Sequence, residues 1–265
     1  MPFCSLEEFT GAPRPADTLR LLSFNIQVGI QTAAYHHYLS RSWQHLLPSE
    51  ERDYSLNRIA RLVQPFDIVA LQEADAGSFR SRQCNQVEEL AQQAGFSFWY
   101  QQVNRNLAGI ARHSNGVLSR LAACQQEHHA LPGLLPGRGL MVMRFGDGKQ
   151  QLVVAVTHLA LGKRTQFSQL DFLCDLVGDA RHLVIMGDLN QEADVLLKHS
   201  PLRRLNLHSP RCFMPTYPSW RPSRGLDHIL LSDGLELLRS AVIAHPHSDH
   251  LPVAAEIRWP PAAQA

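Results

Sequence analysis

Short apolar runs recur along the chain at Leu21–Ile26, Ile68–Leu71, Gly116–Ser119, Leu140–Phe145, Leu152–Thr157, Leu183–Met186, Ile229–Leu231 and Val253–Ile257. Many are rich in Val, Ile and Leu and stop at polar residues or glycine, which predicts buried strands. Between several of them the apolar positions fall at helical spacing. Leu56, Ile59, Ala60 and Val63 share one face. So do Val87, Leu90, Ala91 and Ala94, and, within Arg164–Val177, Phe167, Leu170, Leu173 and Val177. Strands and helices mixed throughout predict α/β or α+β layering. The runs Leu140–Phe145 and Leu152–Thr157 flank Gly146-Asp147-Gly148-Lys149, which signals a hairpin and antiparallel pairing. A mixed sheet or a pair of stacked sheets is therefore expected rather than a dinucleotide-binding fold, and no glycine-rich phosphate loop of the GxGxxG or GxxxxGKS/T type is present.

The places where the strands stop carry the chemistry. Leu21-Leu22-Ser23-Phe24 ends at Asn25, and Ile68-Val69-Ala70-Leu71 at Gln72-Glu73. Val153-Val154-Ala155-Val156 ends at Thr157-His158, and Leu183-Val184-Ile185-Met186 at Gly187-Asp188-Leu189-Asn190. His247-Ser248-Asp249-His250 stands just before Leu251-Pro252-Val253. Layered α/β enzymes build sites on such a rim. Singly, each residue has an ordinary structural explanation as a cap, turn or surface charge. Together, Glu73, Asn25 and Asp249 offer hard oxygen donors suited to Mg²⁺ or Mn²⁺ rather than Zn²⁺. His158 and His250 can carry protons near neutral pH. Asp188 and Asn190 would point to one side if strand geometry persisted between them.

Length and composition narrow the rest. A chain of 265 residues with 45% hydrophobic content suits one domain, divided here into an irregular arm over 1–17, a domain over 18–258 and a frayed tail over 259–265. The net charge of +1 argues against a protein that grips a long duplex. Five cysteines lie far apart, with no pair at metal-ligand spacing, so neither a disulfide framework nor a zinc site is expected. No signal peptide or apolar span is evident, so a soluble, cytoplasmic protein is expected, and a monomer is the starting expectation.

The blocks Ser23-Phe24-Asn25-Ile26, Leu71-Gln72-Glu73, Asn115-Gly116-Val117-Leu118-Ser119-Arg120, Thr157-His158-Leu159, Gly187-Asp188-Leu189-Asn190, Gly225-Leu226-Asp227-His228-Ile229 and Ser248-Asp249-His250 occur in one order. In that order they resemble the endonuclease/exonuclease/phosphatase superfamily. The resemblance implies a DNase I-like four-layer sandwich, two stacked mixed β-sheets with helices outside, and Mg²⁺ dependence. It implies Glu73 as main metal ligand with Asn25 beside it and Asp249 contributing. Asp188 would orient or deprotonate the attacking water, and Asn190 would help position it. His250 would contact the phosphate, with Asp227 paired to its ring, and His158 would hydrogen-bond the phosphate or assist the leaving oxygen.

The function expected is metal-dependent hydrolysis of a phosphodiester in nucleic acid, phospholipid or a small molecule. The alternative is a non-catalytic phosphate- or nucleic-acid-binding protein that keeps the fold. Gln27 stands where the abasic-site endonucleases usually carry an acidic residue, which weakens that particular assignment. No Lys/Arg cluster suited to a multiply phosphorylated ring is visible in the sequence, and Arg120 and Arg164 are candidates for phosphate contact or equally for surface ion pairs. The segment 31–54, with Tyr35, His36, His37, Tyr38, Trp43 and His45, is expected to be either a short helical lid over the rim or a helix packed on the side of the domain.

Overall fold

A computed structural model describes residues 3–29, 50–133, 136–209 and 214–259. Among these residues two mixed sheets stack face to face. The first contains β1 (Phe3–Cys4), β2 (Thr18–Asn25), β3 (Ile68–Asp75), β4 (Phe98–Leu107), β5 (Ala111–Ser119), β12 (Glu236–Ile243) and β13 (Val253–Arg258), in the order β1-β12-β13-β2-β3-β5-β4. The second contains β6 (Gln125–Ala130), β7 (Gly139–Phe145), β8 (Leu152–His158), β9 (His182–Asp188), β10 (Leu207–His208) and β11 (Asp227–Ser232), in the order β10-β11-β9-β8-β7-β6. The helices are α1 (Leu6–Thr10), α2 (Glu50–Val63), α3 (Gln86–Ala94), α4 (Lys163–Val177) and α5 (Ala193–His199).

Alternate residues of the central strands serve two different cores, and this is why the runs read as continuously apolar. Leu21, Ile68, Ala70 and Val117 of the first sheet meet Met141, Met143, Val154, Val156, Val184 and Met186 of the second. Leu22, Phe24, Val69 and Leu71 face outward onto Ile59, Leu62 and Val63 of α2 and Val87 and Leu90 of α3. On the other side Val153, Ala155, Leu183 and Ile185 pack on Leu170 and Leu173 of α4 and Leu196 of α5. Helix, sheet, sheet and helix thus form the four expected layers. The hairpin between β7 and β8 is present, with Leu140 paired to Thr157.

The amino-terminal segment differs from the irregular arm expected. Phe3 and Cys4 pair in parallel with Val242 and Ile243, and Ser5 and Glu8 close a capping box on α1. That box satisfies the first free amides of the helix, and Phe9 is buried against Phe66 with ring centroids 6.0 Å apart. At the other end Trp259 is buried and donates its indole N–H to the Gln150 carbonyl at 2.8 Å, so the packed domain extends past residue 258. Of the expected lid, residues 31–49 lie outside the described residues, and 50–54 form the first turns of α2. No described helix is long and apolar enough to cross a membrane.

Candidate active site

Sheet direction gathers the polar strand ends onto one rim. Strands β2 and β3 run parallel, with Asn25 opposite Gln72, and β8 and β9 run parallel, with His158 opposite Asp188. Strand β11 is antiparallel to β9, so Asp227 at its start lies beside Asp188 at the end of β9. Strand β13 is antiparallel to β2, so the segment leading into it returns to Asn25, where the Ser248 hydroxyl donates to the Asn25 carbonyl at 2.7 Å. Glu73 reaches the cleft through an irregularity. The register of β3 against β5 shifts between Leu71 and Ala74, and Glu73 adopts a left-handed φ of 57°. A bulge of this kind re-aims one side chain without ending the strand. Just beyond it Asp75 is clamped in the core by Ser78, Ser81 and Arg80.

The side chains form one connected network. Asn25 Nδ2 donates to Glu73 Oε1 at 3.3 Å and to Asp188 Oδ2 at 3.1 Å, while Asn25 Oδ1 accepts the Gln27 backbone N–H at 3.1 Å. Asp188 Oδ2 also faces His158 Nε2 at 3.4 Å and His250 Nε2 at 3.7 Å. His250 Nδ1 bonds Asp227 Oδ2 at 2.7 Å, and the Thr216 hydroxyl donates to that same oxygen at 2.6 Å. Asn190 does not continue the strand. Its φ is 51°, its backbone N–H caps Asp188 Oδ1 at 3.0 Å, and its amide donates to the Leu159 carbonyl at 3.0 Å. It therefore holds Asp188 from behind instead of standing beside it as the spacing suggested.

Burial and charge split the protonation states. Burial raises the Asp188 pKa to about 7, although the His250 cation and donors from Asn25 and Asn190 pull it down. Burial alone would depress His250, but Asp227, Asp188 and Asp249 outweigh it and hold the ring well above its ordinary value. His158 goes the other way, pushed well below the ordinary value by burial and by Arg138, His250 and His113. Glu73 has a third of its side chain open to the cleft, yet desolvation and the nearby Asp249 carboxylate raise its pKa. The site thus offers a fixed cation, a neutral imidazole and a carboxylate poised near neutrality, the division of acid and base roles that proton transfer needs.

The model of the Endonuclease/Exonuclease/phosphatase family matches residues 22–250. The chain belongs to this family. Members hydrolyse phosphoester bonds, and the chain is a hydrolase of that class. Solved structures share the architecture. An endonuclease/exonuclease/phosphatase from Beutenbergia cavernae DSM 12333 aligns at TM-score 0.70 and 22% identity, over 94% of this chain and 73% of that one. The human Nocturnin catalytic domain with bound sulfate anion aligns at 0.64 and 18%, over 93% of this chain and 95% of that one. D. rerio TDP2 complexed with single strand DNA product aligns at 0.64 and 16%, over 91% and 98% respectively. At these identities the likeness is one of fold. Curated protein sequences give no match.

Enzymes of this family commonly use divalent metals. Among the described residues the group of three acidic or histidine ligands close enough to share an ion is Asp188, Asp227 and His250, whose ligand atoms lie within 4.8 Å of one another. That cluster already carries its own cation, because His250 is held protonated. A second pair of carboxylates stands beside it, Glu73 and Asp249, where desolvation and the Asp249 charge raise the Glu73 pKa. Their all-oxygen chemistry fits a hard divalent ion. Asn25 turns its amide nitrogen, not its oxygen, toward Glu73.

Three cleft residues escaped sequence reasoning: His113, Arg105 and Arg138. The signal for Arg138 was available, since a hairpin places the start of β7 at the same rim as the end of β8, and Pro136-Gly137-Arg138 stands just before β7. Arg120 proves to be structural. It donates to the carbonyls of Phe66, Gly95 and Gln64 and lies over the Phe96 ring, at the opposite end of β5 from the rim. Nothing ties Arg164, in the first turn of α4, to the reacting groups.

Proposed function

We propose that the chain is a Mg²⁺- or Mn²⁺-dependent phosphodiesterase. The observation that supports this most is the convergence on one carboxylate oxygen, Asp188 Oδ2, of Asn25, His158 and His250 from three separate strands or their loops. In this reading Glu73 and Asp249 hold the ion, and Asn25 is a positioning residue that orients Glu73. When bound, the ion withdraws charge from the phosphate oxygens and makes phosphorus more electrophilic.

The protein's own groups supply the remaining chemistry. Asp188 is buried, poised near neutrality and locked by Asn190, so it orients a water for in-line attack and accepts its proton. Protonated His250 donates Nε2–H to a non-bridging oxygen where charge develops, while Asp227 fixes its other nitrogen. Neutral His158 hydrogen-bonds the phosphate beside the leaving oxygen. Nucleic acid is one substrate candidate, given the DNA product bound to the D. rerio TDP2 relative; lipid and small-molecule diesters are the others.

The test is hydrolysis of bis-p-nitrophenyl phosphate with Mg²⁺ or Mn²⁺. Wild-type protein should turn over and lose activity in EDTA, and Glu73→Ala and His250→Ala should each fall by about a hundredfold or more. Wild-type protein inert with both metals on this ester, DNA, RNA and sphingomyelin would point to the non-catalytic alternative.

A further inference from the structure

The hydrolysis scheme leaves two cations beside the reacting groups without a task. A cleft of about 540 Å³ opens from Glu73 and His158, and its wall carries Arg138, Arg105 and Asn104. Its size is that of a small-molecule site. Arg138, in the approach to β7, is half-buried and close enough to Glu73 and Asp188 to be influenced by both. Arg105 is exposed on β4 and lies against Gly137, where an added Cβ would stand 3.3 Å from the Arg105 Cβ and Cδ. Gly137 has a φ of +114° and no side chain, so the two arginines can sit on the same wall.

Among the described residues neither guanidinium has a hydrogen bond or an ion pair. The arginines of this wall are Arg105 and Arg138. A half-buried, unpaired guanidinium is costly unless an anion meets it, and phosphate matches its fork of donors.

We infer that this cleft is an anion subsite that takes a second phosphate, carried on the alcohol portion of the diester being cleaved. The inference rests on the phosphodiesterase reading above. Arg138, nearer the reaction centre, and Arg105, toward the mouth, are specificity-determining residues. The two arginines are far apart in sequence, one on β4 and one just before β7.

The test compares thymidine 5′-(p-nitrophenyl phosphate) with the same ester bearing a 3′-phosphate. The phosphorylated ester should be favoured in kcat/KM by about tenfold or more, chiefly through KM. That ratio should fall toward one in Arg105→Ala and Arg138→Ala and be partly kept in Arg105→Lys. Calorimetry in Ca²⁺ provides a readout without turnover: thymidine 3′,5′-bisphosphate should bind tighter than thymidine 5′-monophosphate by a similar factor, and Arg105→Ala should remove the difference. Equal binding of the two nucleotides by wild-type protein, or an advantage that survives both alanine variants, overturns the subsite. A protein that hydrolyses no diester but still prefers the bisphosphate refutes the hydrolysis reading and leaves the subsite standing.

Discussion

Two histidines a few ångströms from one carboxylate oxygen hold opposite protonation states, and the cause is local. His250 has Asp227 at 2.7 Å from Nδ1, whereas His158 meets Arg138 and His113 and lies 4.0 Å from Glu73. Both rings are buried, so the identity of the neighbouring charge decides between imidazolium and imidazole. Asp227 is in turn held by the Thr216 hydroxyl. In Asp227→Asn the His250 pKa should fall by about 1–3 units, read by NMR titration, and kcat should drop. An unchanged His250 titration would show that Asp188 and Asp249 hold the charge without Asp227.

At the scale of elements, the rim depends on how closely β8 and β9 approach where they end. Gly187 has a φ of +146°, and a Cβ built there would lie 1.8 Å from the Thr157 carbonyl oxygen. No side chain fits, and the close backbone contact brings His158 and Asp188 into register. Gly187→Ala should lower stability by about 3 kcal/mol or more in chemical denaturation and also impair hydrolysis, because relief of the clash must part the two strand ends. Elements the sequence did not announce are those at the margins. Strands β4 and β6 end their sheets and are largely exposed, so their polar residues break the apolar pattern that marks a buried strand. Strand β12 carries a register shift between Leu237 and Arg239 that interrupts its alternation.

For the whole molecule, stability against pH is a contest between buried groups. In the metal-free protein Asp188 and Glu73 have raised pKa values, so they take up protons in the folded state as pH falls and favour folding in acid. Partly buried histidines act oppositely. The His245 pKa is driven to about 3 by burial, then by His247 and Arg58, and that of His113 to about 4 by burial, Arg80 and other neighbours. With folded values below the unfolded value of about 6.5, their contribution is complete above that pH and lost as pH falls toward the folded value. His245→Phe should therefore lose about 1–2 kcal/mol less than wild type between pH 7.5 and 5, measured by urea denaturation in EDTA.

The sequence by itself determined the layered architecture and the rim. Strand interiors must be apolar on both faces, helices show their buried stripe, and Asn25, Glu73, His158 and Asp188 stand where the apolar runs stop. Only the tertiary structure decided what these residues do to one another. Distances between chain-remote groups set the charge on each histidine. A bulge aimed Glu73, Asn190 turned behind Asp188, and Arg105 and Arg138 came to share a wall. Periodicity along a chain records burial, which each residue satisfies locally, whereas pKa values and subsites arise from pairs of residues that only strand register and sheet stacking bring together.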